Sequence, residues 1–171
     1  EVGVYAGSTF CAAIQNNDMV GAYANDNWSQ PNLQPAREDI KLGLEDVTVS
    51  TFVKNLQTNI TTDTLDFDIQ VLNGDSSNLS KNDFKHDVNI IFYDGDNAEH
   101  KMREFFFNML NFTQDVFTLI IDDANIENNV AITKRFVEAS KLKILYEREL
   151  LNDPEDSKMW WNGLYVLVLS K

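Results

Sequence analysis

Apolar residues recur along this chain in two rhythms: every second position in short runs, and every third or fourth in longer ones. The opening stretch Glu1 to Ser8 reads as an apolar strand ending in a glycine-spaced turn. A short helix follows, with Phe10, Ala13 and Ile14 on its apolar face and Ser8 placed to cap it. Val20 to Ala24 predicts a second strand ending at Asn25-Asp26-Asn27-Trp28. Beyond a loop, Pro35 suits a helix start, and Thr48 opens a clearer helix with Val49, Phe52, Val53, Leu56 and Ile60 inward. Phe67 to Leu72 alternates as a half-exposed third strand nearer a sheet edge. Val88 to Tyr93 and Val116 to Ile121 are almost continuously apolar and predict central strands buried on both faces.

Between those two runs, Met102, Phe105, Phe106, Met109 and Leu110 share one helical face, a packing stripe against a sheet. Asn128 to Ser140 predicts another helix, with Ile132, Phe136 and Ala139 inward. The last two strands, Leu142 to Glu147 and Leu164 to Leu169, are joined by a loop too short for a crossover helix, so they should pair antiparallel. Strand and helix alternate throughout, which predicts an α/β domain with a mostly parallel sheet, a reversed last strand and helices on both faces. At 171 residues the simplest organisation is a single domain spanning 1–171.

Charge narrows the partners. A net charge of −13 argues against nucleic acid or an anionic membrane surface and leaves room for a small-molecule partner. The single cysteine, Cys11, rules out an internal disulfide and reads as a small buried apolar residue. The longest apolar run, Leu164 to Leu169, is only a strand's worth, and no signal peptide is in view, so the expected location is cytoplasmic. The chain starts inside a strand without a leading Met, and an N-terminal segment is expected to be missing.

The candidate chemistry sits at the carboxyl ends of the strands, which share one rim in a parallel sheet. The first strand ends in Gly3-x-x-x-Gly7, whose glycines allow a tight turn and a close ligand approach. The second ends at Asp26, the third in Asn73-Gly74-Asp75-Ser76, the fourth in Asp94-Gly95-Asp96-Asn97, and the fifth in Asp122-Asp123-Ala124-Asn125. Asp and Asn are ordinary turn and cap residues, yet their repetition at one rim points to a cationic ligand rather than a pyrophosphate.

Glu1-x-Gly3-x-Tyr5-x-Gly7 with the acids that follow resembles the class I S-adenosylmethionine-dependent methyltransferases over essentially the whole chain. The branch it resembles is that of the small O-methyltransferases and cephalosporin-hydroxylase-like proteins, with Tyr5 where the family often has a middle glycine. The resemblance implies a Rossmann-like three-layer sandwich whose seven-stranded sheet runs 3-2-1-4-5-7-6, the seventh strand antiparallel. It implies an enzyme transferring the methyl group of S-adenosylmethionine to a small-molecule acceptor, by O-methylation. Glu1, Gly3, Tyr5, Gly7 and Ser8 would bound the methionine moiety, and Asp26 would accept from the ribose hydroxyls. Trp28 would lie beside the adenosine, Asp75 and Ser76 would hold the adenine amino group, and Asp94 would face the methionine amine or the reacting centre.

The same resemblance suggests Asp94, Asp122 and Asp123 as an all-oxygen set for Mg²⁺ or another divalent cation, with capping of the next helix as the alternative for the last two. His100 is a candidate general base, or an exposed helix histidine; His86, before the fourth strand, falls at the other rim. Trp160, Trp161 and Tyr165 offer an acceptor pocket, a homodimer contact or core packing. Two other readings compete: a nicotinamide-dependent oxidoreductase, which would want the full G-x-G-x-x-G, and a non-catalytic binding module on the same fold.

Overall fold

The computed structural model of the chain describes residues 1–28, 48–60, 67–126, 128–151 and 162–171. Pro35, Trp160 and Trp161 lie outside them. The chain divides into two compact units, Gly3–Asp75 and Ser76–Lys171, the latter also containing Glu1 and Val2. Among the described residues no helix is long and apolar enough to cross a membrane.

In the smaller unit, α1 (Ser8–Ile14) precedes β1 (Gly21–Asp26), and α2 (Val49–Asn59) precedes β2 (Asp68–Asn73). The two strands pair in parallel, from Gly21 opposite Asp68 to Asp26 opposite Asn73. Phe10, Cys11 and Ile14 of α1 meet Phe52 and Leu56 of α2 in a core that also takes Val4, Ala22, Ala24 and Ile60. Cys11 is buried, as its apolar surroundings predict. Thr48 caps α2, its N–H donating to Thr51 Oγ1 at 3.3 Å. Ser8 does not cap α1: Gly7 occupies the cap position, and Ser8 is the first helical residue. Ala13 is exposed, and Cys11 takes the inward place expected for it.

In the larger unit, β3 (Val88–Tyr93), α3 (Glu99–Met109), β4 (Thr113–Ile121), α4 (Asn129–Ala139), β5 (Lys143–Leu150) and β6 (Leu164–Ser170) follow in order. Their sheet runs β3-β4-β6-β5. β3 and β4 are parallel, and β6 lies antiparallel to both neighbours, as the short final connection predicts. Met102, Phe105, Phe106 and Met109 of α3 and Ile132, Phe136 and Val137 of α4 pack with Ile91, Tyr93, Phe117, Leu119, Ile121, Tyr165 and Leu167. Thr133 and Val137, not Ala139, complete the inward face of α4.

Two expectations fail here. β3 and β4 are not buried on both faces: Ile90 is 57% and Val116 48% exposed, because the α3 and α4 core residues join the alternate, covered face. Among the described residues the seven-stranded order 3-2-1-4-5-7-6 is also not formed: they hold six strands, in a two-stranded and a four-stranded sheet. The orders 3-2 and 4-5-7-6 are present within them. The opening stretch is no strand because its backbone leaves the extended region at once, with φ +82° at Gly3, +47° at Tyr5 and +87° at Gly7. Val2 alone makes a parallel bridge, to Tyr93, whereas the Gly3 and Val4 N–H groups both donate to the Asn25 carbonyl.

Candidate functional site

The glycine turn of the smaller unit is held by β1. Asp26, the last residue of that strand, accepts the Tyr5 N–H on Oδ2 at 2.8 Å and the Trp28 N–H on Oδ1 at 2.9 Å. Trp28 Nε1–H donates to the Tyr5 carbonyl at 2.9 Å, and its ring lies 5.7 Å from that of Phe52. Tyr5 and Trp28 both have positive φ without being glycine, a strain of roughly 1–3 kcal/mol each that the Asp26 hydrogen bonds help to hold. Gly7 is required for two reasons: its φ of +87°, and the Phe52 ring 2.6 Å from where a Cβ would stand. Asn25, 3% exposed, organises the turn from behind. Its carbonyl takes Gly3 and Val4, while its side-chain amide donates to the carbonyls of Leu72 and Gly74 at 2.8 and 2.9 Å. Sequence reasoning chose Asp26 and passed over Asn25; an amide directly before a strand-end acid was the available signal.

A carboxylate has about four acceptor directions. Asp26 uses one on each oxygen for the turn. Its remaining capacity suits the two vicinal hydroxyls of a ribose, so the residues fit the nucleoside part of S-adenosylmethionine. Asp75 is half-buried at the end of this unit.

The larger unit builds its turns differently. Asp94 is exposed after β3, its N–H donating to the Val2 carbonyl at 2.9 Å. Tyr93 hydroxyl donates to the Asp96 carbonyl at 2.8 Å, and Asp96 Oδ1 accepts the Ala98 N–H at 2.9 Å before α3 begins. Asp123, in a left-handed conformation at φ +56°, accepts Asn97 Nδ2 on Oδ2 at 2.9 Å and Asn162 Nδ2 on Oδ1 at 2.8 Å. Asn129, 1% exposed at the start of α4, donates to Asn97 Oδ1 at 2.9 Å and to the Asp123 carbonyl at 3.2 Å. Two loops are thus pinned to one carboxylate on a third, and Asn129 ties the start of α4 to the same network. Sequence reasoning placed Asn97 in the acid-rich rim without a role and marked neither Asn129 nor Asn162, although Asn162-Gly163 is a turn signal.

Asp122 is half-buried next to this network. Burial pushes its carboxyl above the ordinary range, the Asp123 backbone N–H partly offsets that, and the neighbouring Asp123 charge adds to it. For a divalent ion the fit is poor. Asp123 has amides on both oxygens, and among the described residues no three His, Cys, Asp or Glu side chains are grouped to hold a metal.

His100 lies on the exposed face of α3, in an open groove of about 720 Å³ with Arg103, Glu104 and Phe107. Ser76 opens the 3₁₀ turn Ser76–Asn78 at one wall of that groove, and Glu1 is half-buried beside the Val2 bridge. Tyr165 is fully buried, its hydroxyl donating to Glu147 Oε1 at 2.7 Å, which settles that residue as core packing.

No protein-family model matches the sequence, and no curated protein matches it. Solved structures do share the fold. An rRNA methylase from Streptococcus thermophilus is 11% identical with a TM-score of 0.55, over 98% of this chain and 82% of that one. The precorrin-6y C5,15-methyltransferase of Geobacter metallireducens is 11% identical with a TM-score of 0.55, over 99% and 77%. TYW2 of M. jannaschii, in complex with AdoMet, is 11% identical with a TM-score of 0.52, over 98% and 64%. The fold is therefore the α/β Rossmann-like fold of methyltransferases. The first two of these structures are an rRNA and a precorrin enzyme, not members of the O-methyltransferase branch that the sequence resembles.

Proposed function

We propose that this chain binds S-adenosylmethionine and transfers its methyl group to an acceptor nucleophile. The observation that carries the reading is the Tyr5 N–H donating to Asp26 Oδ2 at 2.8 Å. It fixes a strand-end carboxylate against a glycine turn, with acceptor capacity left for the ribose hydroxyls. Trp28, locked to Tyr5 and Phe52, offers an apolar surface beside that carboxylate. When bound, the cofactor supplies an electrophilic methyl on a positively charged sulfur. Gly3, Gly7 and Ser8 would leave room for its methionine part, and Asp26 would orient its nucleoside. Glu1, Asp75, Ser76 and Asp94 stand as further contacts implied by the resemblance, and Asp94 and His100 as its candidate catalytic groups.

Asp122 adds a group that the resemblance assigned to a metal. A half-buried carboxyl with a raised pKa can hold or take a proton nearer neutrality than an ordinary aspartate, which suits general acid–base work. The acceptor atom is oxygen in the reading that the sequence supports, on a small molecule; RNA and precorrins are the substrates named for the similar structures.

Calorimetric titration with S-adenosylhomocysteine, with and without Mg²⁺, tests the cofactor assignment on wild type and Asp26→Asn. Saturable binding that weakens at least about tenfold in the variant is expected. A folded wild type that takes up no S-adenosylhomocysteine overturns the proposal.

A further inference from the structure

The groove along α3 carries three side chains, Arg103, Glu104 and Phe107, that the proposed methyl transfer does not use. His100 and Phe107 are seven residues apart on α3, two helical turns, and so lie within about 20° of one line. Arg103 falls to one side of that line and Glu104 to the other. Phe107 is 44% exposed, an unusual place for a phenylalanine, and its ring centroid lies 5.4 Å from that of Phe136 with the two planes at 86°. That contact supports the ring from one side and leaves much of it open to the groove.

Arg103 sits about 5–6 Å from Phe107 by Cβ spacing along the helix. Among the described residues Arg103 is in no ion pair, although the chain holds 27 acids against 14 Lys and Arg. Arg135, by comparison, is tied to Glu99 at 3.1 Å. The far wall is polar: Asn78 borders the groove, and Asn108 Nδ2 donates to the Ser77 carbonyl at 2.5 Å.

We propose that this groove binds a guanine nucleotide, with the base stacked on Phe107, its donor edge on Glu104 and its phosphate on Arg103. An exposed aromatic ring offers any base a surface to stack on. Glu104 accepts only, and guanine alone among the common bases offers a ring N–H and an adjacent amino group on one edge to a carboxylate. A guanidinium matches a phosphate. The net charge of −13 confines anion binding to this local cation and makes it sensitive to salt. The inference is independent of the cofactor proposal, since Arg103, Glu104 and Phe107 have no part in it.

The test is amide chemical-shift titration of the full chain with GMP, guanosine and AMP, and with a short single-stranded RNA with and without guanine. GMP should give saturable shifts along α3 and at Ser77 and Asn78, binding at least about fivefold tighter than guanosine or AMP. Arg103→Gln should erase the difference between GMP and guanosine. Glu104→Gln should erase the difference between GMP and AMP, and Phe107→Ala should weaken all three about fivefold or more. All three positions are exposed on the helix, so these variants keep the fold. Tighter, guanine-dependent binding of the RNA than of GMP identifies a strand as the source; binding of GMP with none of the RNA identifies the free nucleotide. No saturable shift with GMP, or shifts indifferent to Arg103→Gln and Phe107→Ala, overturns the proposal. The same titration with S-adenosylhomocysteine present separates its failure from that of the cofactor reading.

Discussion

Asp26 and Asp123 are both acids beyond or at a strand's carboxyl end, and both accept two N–H donors, yet they are held by opposite means. The donors to Asp26 are backbone amides of Tyr5 and Trp28, so its geometry follows from the conformation of the turn itself. The donors to Asp123 are side-chain amides of Asn97 and Asn162, brought from the loops before α3 and β6. The first arrangement leaves a carboxylate facing outward over a glycine turn; the second makes a carboxylate into a clasp for loops. A strand-end acid therefore announces neither ligand binding nor scaffolding by its position. The donors decide.

If Asp26 depends on the turn, breaking the turn should have the largest effect. Gly7→Ala forces a Cβ to 2.6 Å from the Phe52 ring at a φ of +87° and should lower unfolding free energy by about 3 kcal/mol in urea titration. Adding Phe52→Leu should return the overlap part of that loss and leave the backbone part. A Gly7→Ala protein as stable as wild type would mean the turn is not fixed by this packing. Next in size come Asp26→Asn and Asp123→Asn, each turning one acceptor oxygen toward an N–H donor and costing about 2 kcal/mol. They should part on function: Asp26→Asn weakens S-adenosylhomocysteine binding, and Asp123→Asn leaves the affinity unmoved while the loops at Asn97 and Asn162 exchange amide hydrogens faster. Equal losses of affinity in both would remove the distinction drawn here.

The sequence carried the local half of this comparison better than the distant half. Glycine spacing, strand ends and helical stripes are set by neighbours in the chain, and β3 was placed to the residue while α2 opened at Thr48. The acids after each strand were legible for the same reason. What was not legible depends on contacts between far-apart segments. Asn129 looks like an ordinary helix-start amide, and its burial at 1% comes from Asn97, 32 residues earlier. The two-sided burial expected of β3 and β4 failed likewise, because an apolar run cannot say which face a helix will cover. The missing seventh strand was a local error: Tyr5 at positive φ is a rare choice that apolar alternation conceals.

Asp122 sharpens the comparison as an acid that is buried without a clasp. Its folded pKa lies above its unfolded one, so the folded state holds the proton over that window and stability falls as pH rises through it. At neutral pH the buried charge is a net cost. Asp122→Asn should therefore gain roughly 1 kcal/mol at neutral pH, and the gain should vanish below about pH 4, where both states are protonated. If Asp122 takes part in proton transfer, turnover should fall as stability rises. A variant no more stable than wild type at any pH would place the carboxyl in better-hydrated surroundings than the fold shows.

The smallest effect belongs to an acid held at the surface. Glu147 is kept below the usual carboxylate range first by the Tyr165 hydroxyl and then by Lys134, at 3.4 Å. Lys134 is raised in turn, chiefly by Glu149 at 2.7 Å. The Glu147 contribution is present above the ordinary carboxylate pKa and is lost as pH falls through the depressed value; that of Lys134 is present below the ordinary lysine pKa and is lost as pH rises through the raised one. Both side chains are more than a third exposed, at 48% for Lys134 and 38% for Glu147, so water screens the pair. Lys134→Met should cost about 0.5 kcal/mol or less across the neutral plateau, with the difference from wild type shrinking in acid. A loss as large as that of Asp123→Asn would show that an exposed cation can clasp an acid as firmly as half-buried amides do, and would undo the ranking of these acids by their donors.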